Sequence, residues 1–167
     1  MKVSGKAIKY GDNINTDVII PSKYLTSLDP SDWAKHAMEG IDPDFPRKAR
    51  EGVIIVAGKN FGCGSSREQA PQALKYAGVR CILAESFARI FYRNAINIGL
   101  PVLEAPGITG RVNEGDILFI DLFEGKIINE GSGEVIFANR LPDFILKIIE
   151  DDGLIEHLIK TIRGREK

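Results

Sequence analysis

Five consecutive apolar residues, Val53 to Ala57, run directly into Gly58-Lys59-Asn60-Phe61-Gly62-Cys63-Gly64-Ser65-Ser66-Arg67-Glu68-Gln69 and then into the helix-forming stretch Ala70 to Ala77. The apolar run reads as a buried strand. A glycine-rich turn therefore joins a strand to a helix N-terminus. Such a turn brings backbone N–H groups close to a ligand, and the helix end favours negative charge there. Two hydroxyls and a guanidinium sit on the same turn. A small ligand bearing carboxylates suits it.

The surrounding chain extends this pattern. Lys2 to Tyr10 reads as a first strand, and Gly11-Asp12-Asn13 as a turn. Asn15-Thr16-Asp17 leads into a short apolar run closed by Pro21, and Ser22 to Leu28 reads as a loop. Asp29-Pro30-Ser31-Asp32 opens a helix expected to run through Trp33, Ala34, Ala37 and Met38, capped by Asp or Ser. Two prolines make Asp42 to Pro46 an extended connector. After the helix to Ala77, closed by Gly78, come a strand at Val79 to Ala84, a helix at Ser86 to Ile98 and a short strand at Leu100 to Leu103. This alternation predicts a parallel βαβ core.

Glycines then punctuate short strands at Ile117 to Asp121, Lys126 to Asn129 and Val135 to Ala138. They predict a β-meander packed beside the α/β part. Helices follow at Leu141 to Ile149 and Gly153 to Ile162, and Arg163 to Lys167 reads as a frayed charged tail. No repeat or linker divides residues 1–167, so one domain is expected.

Bulk properties narrow the function. A net charge of −1 gives no reason to expect nucleic acid or an acidic membrane surface as partner. No apolar run is long enough to span a bilayer and the N-terminus has no signal-peptide core, so a cytoplasmic location is expected. The two cysteines, Cys63 and Cys81, are too few to hold an iron–sulfur cluster alone, and the two histidines, His36 and His157, make a zinc site unexpected. No metal is expected on this chain.

Each candidate residue has an ordinary role to set against a functional one. Ser65-x-x-Glu68 matches a capping box, so Ser65 is either a helix cap or a working hydroxyl. Gly62 and Gly64 favour the second, because they admit close backbone approach to a ligand. Arg67, expected in the first turn of a helix, opposes the dipole there and points to an anion; its ordinary role is a surface pair with an acidic neighbour. Cys63 has no histidine nearby in sequence and reads as a small buried residue. Arg89 and Arg93, four apart on one helix face, suit carboxylates or surface salt bridges. The turn is neither a phosphate loop nor a dinucleotide fingerprint, since Gly-Lys-Ser/Thr and a third glycine are missing.

Three blocks taken together resemble a known family. Asn60 to Glu68 resembles the signature of the aconitase superfamily's swivelling domain. Gly11 to Pro21 with Tyr24-Leu25, and Ser86 to Gly99, resemble the other two blocks of its small-subunit members. The resemblance implies a layered β/β/α swivelling domain. It implies one subunit of a hydro-lyase that isomerises a hydroxy-dicarboxylate by dehydration and rehydration, in branched-chain amino-acid (leucine) biosynthesis. A large subunit, carrying the [4Fe-4S] cluster, is the implied partner. Ser65 matches the family's catalytic serine, an alkoxide base. Ser66 and Arg67, with Gly64 beside them, match the residues that hold substrate carboxylates. A serine engaged as a cap cannot also be a free base, so the cap would have to pass to Ser66 or to backbone.

The same resemblance implies that the loop Tyr24-Leu25-Thr26 reads the substrate's variable group. Homoaconitase relatives carry an arginine after Tyr-Leu. Thr26 offers no charge, which favours isopropylmalate, with citramalate or dimethylmalate as near alternatives. Lys23 keeps a charged group open, and Gln69 stands where relatives often have histidine. A homoaconitase subunit and a non-catalytic carboxylate-binding module are the competing readings.

Overall fold

The structure is a computed structural model and describes residues 1–165. Its centre is one seven-stranded mixed sheet in the order β4-β3-β2-β1-β5-β6-β7. The strands are β1 (Lys2–Lys9), β2 (Val53–Ala57), β3 (Val79–Ala84), β4 (Val102–Glu104), β5 (Ile117–Asp121), β6 (Lys126–Asn129) and β7 (Val135–Phe137). β1 to β4 are mutually parallel, and β5 lies antiparallel on the free side of β1.

The order dictates which face the helices cover. Each parallel strand is laid beside the last in one direction, and right-handed crossovers then fall on one side of the sheet. The helices of that side are α1 (Thr16–Ile19), α2 (Pro30–Ala34), α3 (Phe45–Ala49), α4 (Gln69–Ala77) and α5 (Arg89–Asn97). Their apolar residues, including Ile19, Trp33, Phe45, Leu74 and Phe91, share one core with Val53, Ile55 and Ala57 of β2. The intervening residues Ile54 and Val56 point to the opposite face.

That second face is covered by the sheet itself. Leu118, Ile120, Ile127 and Ile136 of the antiparallel half join Ile54, Val56, Cys81 and Leu83 of the parallel half in a single cluster. The sheet therefore curls over, giving the β/β/α layering. The expected meander is present, but it continues the sheet through β1 instead of packing beside it as a separate piece. α6 (Asp143–Glu150) closes the cluster with Leu146 and Ile149, and α7 (Leu154–Arg165) follows.

Four sequence expectations need correction. The helix opened by Asp29 does use that carboxylate as its cap, on the Ser31 N–H. It stops at Ala34, because Met38 takes a left-handed conformation and gives its N–H to the Ile19 carbonyl. The stretch around Pro46 is not wholly extended. Pro46 falls in the first turn of α3, where its missing N–H costs nothing. The helix after the glycine turn begins at Gln69, later than a Ser65 cap requires. Arg163 to Arg165 belong to α7, while 166–167 lie outside the described residues.

Gly62 shows how tightly the turn is built. Its φ is +81°, and a Cβ there would stand 2.1 Å from Cγ of Phe91. Gly64 has φ +92° but meets nothing nearer than 3.5 Å. Gly62→Ala should therefore cost roughly 3 kcal/mol, from strain and overpacking together. Gly64→Ala should cost about 1 kcal/mol, from backbone strain alone. Urea unfolding midpoints of the two variants compare these directly; equal losses would remove the clash with Phe91 as the deciding contact.

Candidate functional site

Three segments distant in sequence are stitched together by backbone hydrogen bonds at the end of the parallel strands. The Gly62 N–H donates to the Ile14 carbonyl at 2.7 Å, and the Thr16 N–H to the Cys63 carbonyl at 2.9 Å. On the other side, Phe61 N–H donates to the Ser86 carbonyl and Ala88 N–H to the Phe61 carbonyl. Phe61 is fully buried and meets Phe87 and Phe91 edge-on at 6.1 and 5.3 Å. The turn is thus held between the first segment and α5, with an aromatic anchor beneath it.

Side chains complete the framework. Asp12 accepts from the Lys59 N–H at 2.7 Å. Thr16, almost completely buried, donates its hydroxyl to the Ser65 carbonyl at 2.8 Å. Arg67 is only 15% exposed, and Nη1 donates to the Ile20 carbonyl at 2.9 Å. Its Nη2 pairs with the carboxylate of Asp17, which is 64% exposed. The acidic partner expected for Arg67 exists, but it comes from the first segment and holds a largely buried guanidinium in place.

A cleft of about 400 Å³ opens between this turn and α5. On the turn side it is lined by Thr16, Gly64, Ser65, Ser66 and Arg67. On the helix side it is lined by Ala88, Arg89, Ile90, Arg93 and Asn94. Ser65 and Ser66 are exposed, and among the described residues the Ser65 hydroxyl makes no hydrogen bond. α4 starts at Gln69 with Glu68 as its N-cap and no side-chain cap. The capping-box reading of Ser65 is overturned, and its hydroxyl is left to the cleft. Arg67, likewise, precedes the helix. α5 also begins without a side-chain cap, and Ala88, Arg89 and Ile90 at its start line the cleft.

The structure does not bring the whole predicted set together. Tyr24, Leu25 and Thr26 do not line the cleft. Tyr24 lies flat on His36 with ring centroids 3.6 Å apart, and its hydroxyl donates to Glu39 at 2.8 Å. The Tyr24 hydroxyl and the His36 imidazole hold the Glu39 carboxyl below its ordinary range. Leu25 packs on the core and Thr26 is exposed. The loop nevertheless departs from Ile20-Pro21, beside the carbonyl that fixes Arg67. His157, for its part, pairs with Asp151 on the C-terminal helices.

The potential metal donors are scattered over the fold. Among the described residues no group of three or more His, Cys, Asp or Glu side chains is placed to hold an ion. Cys81 is fully buried and desolvation pushes its thiol far up, away from thiolate chemistry. Cys63 is half-buried and contributes its carbonyl to Thr16. No described helix is long and apolar enough to cross a membrane.

With this geometry in place, similarity to known proteins is decisive. The family described as the aconitase C-terminal domain matches residues 12–106, which include all three stitched segments. The 3-isopropylmalate dehydratase small subunit of Halothermothrix orenii is 57% identical over 95% of this chain and 96% of its own. The chain belongs to the 3-isopropylmalate dehydratase small-subunit family of the aconitase superfamily. The isopropylmalate/citramalate isomerase small subunit of Methanocaldococcus jannaschii is 53% identical over 96% of this chain and 95% of its own. A crystal structure of 3-isopropylmalate dehydratase (leuD) from the same organism superposes with a TM-score of 0.92, at 45% identity and full coverage of both chains. Members of this small-subunit family are components of a hydro-lyase.

Thr16 and Asp17 received no role from sequence, although they lie in a block that resembles the family. Their signal was a pair of polar residues ahead of a short apolar run, and its meaning depended on the fold. Thr16→Val keeps the shape but leaves the Ser65 carbonyl without its donor. It should cost about 1 kcal/mol and lower Tm by about 2–4 °C; an unchanged Tm would remove Thr16 as a clamp.

The Glu39 cluster gives a pH test. A depressed folded pKa contributes stability above the unfolded value and loses it as pH falls through the folded one. Glu39→Gln should therefore melt below the wild type at pH 7, with the gap closing below about pH 4. A gap independent of pH would mean that charge at Glu39 does not hold Tyr24.

Proposed function

We propose that this chain, as a single swivelling domain (1–167), is the small subunit of a two-subunit cytoplasmic hydro-lyase. The complex interconverts 2- and 3-isopropylmalate by dehydration and rehydration. The observation that carries the reading is the exposed, uncapped hydroxyl of Ser65 in one cleft with the anchored guanidinium of Arg67.

The chemistry requires such a pair. The proton to be removed lies next to a carboxylate and is weakly acidic, so it needs a strong base and cations to hold the developing charge. Ser65 takes that proton as its alkoxide. The guanidinium of Arg67 and the uncapped N–H groups of α5 make the alkoxide less unfavourable. Arg67 and the Ser66 hydroxyl, beside Gly64, hold a substrate carboxylate. Thr16 fixes the peptide from which Ser65 projects. A [4Fe-4S] cluster held by the large subunit supplies Lewis acidity toward the departing hydroxyl. Loss of the proton and hydroxyl as water gives an unsaturated diacid, and water returns in the opposite orientation.

The uncharged Thr26 supports an apolar variable group on the substrate. The relative named as an isopropylmalate/citramalate isomerase small subunit supports citramalate as a second substrate. The test is anaerobic reconstitution with a large subunit, following the unsaturated product from isopropylmalate, citramalate and homoisocitrate. Ser65→Ala should assemble normally and lower kcat by about 10³-fold or more. Unchanged turnover would end the role of Ser65 as base, and activity on homoisocitrate alone would end the argument from Thr26.

A further inference from the structure

Arg89 and Arg93 differ from Arg67 in a way that separates their roles. Arg67 is largely buried and fixed by a carbonyl and a carboxylate. Arg89 and Arg93 are exposed, and among the described residues neither has an ion-pair or hydrogen-bond partner. A group that positions substrate must itself be held in place. Two unanchored cations on the rim of a cleft do not meet that condition. Ile90 stands between them in sequence and is 54% exposed. An apolar side chain beside unpaired cations has the make-up of a protein interface.

We infer that the outer face of α5 formed by Arg89, Ile90 and Arg93 is the surface on which the large subunit docks, through carboxylates that pair with the two arginines. The inference rests on the function proposed above. If the serine of this chain and a cluster on another act on the same small diacid, the second subunit has to cover the mouth of this cleft. α5 forms one rim of that mouth. Among the described residues other apolar side chains are exposed, such as Phe119 and Phe137 on the meander and Ile155 and Ile162 on α7. None of these four residues lines the cleft. Charge complementarity then fixes the partner's chemistry, because unpaired guanidinium groups favour a carboxylate-bearing surface.

The experiment measures assembly of the full chain with its large subunit by sedimentation at several salt concentrations, for wild type, the double variant Arg89→Glu/Arg93→Glu, and Lys126→Glu on the meander as control. The double variant should fold with an unchanged Tm and bind about 100-fold more weakly, with a flatter dependence on salt. Lys126→Glu should bind as wild type does. Assembly is measured without substrate, so the readout is subunit contact and not occupancy of the cleft that Arg89 and Arg93 also line. Wild-type assembly with an undiminished double variant would overturn the docking surface and leave the function standing. Failure of the wild-type chain to join any large subunit would overturn the proposed function and this inference with it.

Discussion

The backbone stitching of residues 14–16 to residues 62–63 is the constraint on which the site depends. Neither segment forms an extended strand there, so each has amides that the sheet does not satisfy. They satisfy one another, Gly62 to Ile14 and Thr16 to Cys63. Buried amides left alone would each cost about twice what such a bond contributes net. The pairing therefore fixes where the glycine turn lies, and with it Ser65. The bridge from Phe61 to Phe87 fixes the other side. The turn has little freedom left, even though its tip is exposed.

This arrangement follows from the topology. Parallel strands bring their C-terminal ends to one edge of the sheet, where the loops that follow them meet. The turn after β2 and the segment that enters α5 after β3 are neighbours for that reason, and the segment after β1 joins them. The helices lie on one face only, since the antiparallel half of the sheet occupies the other. A chain with helices on both faces would have no place for the curl that produces the second β layer.

Much of this was legible in the sequence. The run Val53 to Ala57, the glycine turn and the periodic helix after it specify a βα unit whatever surrounds them. Strands β5 and β6 were bounded by their glycines and by simple alternation, and match the expected ranges. What was not legible depended on contacts across long separations. The early stop of α2 follows from Met38 bonding Ile19. The capping box at Ser65 was a spacing coincidence, because the same four residues also fit a turn held by Thr16. Spacing records which residues could meet; the fold decides that Ser65's carbonyl meets Thr16 first. The direction of the meander was equally hidden, since nothing local says which edge of β1 remains free.

The ion pair between Arg67 and Asp17 has a consequence for selectivity. The cleft keeps an internal carboxylate on its guanidinium, on a side chain that is mostly in solvent and can swing away. At Arg67 an anion would not meet a bare cation; it would exchange with the carboxylate of Asp17. The electrostatic gain of that exchange is small, because the charge was already neutralised. Any anion that reaches Arg67 faces the same resident competitor. At that guanidinium, discrimination between anions rests on shape and further hydrogen bonds more than on charge.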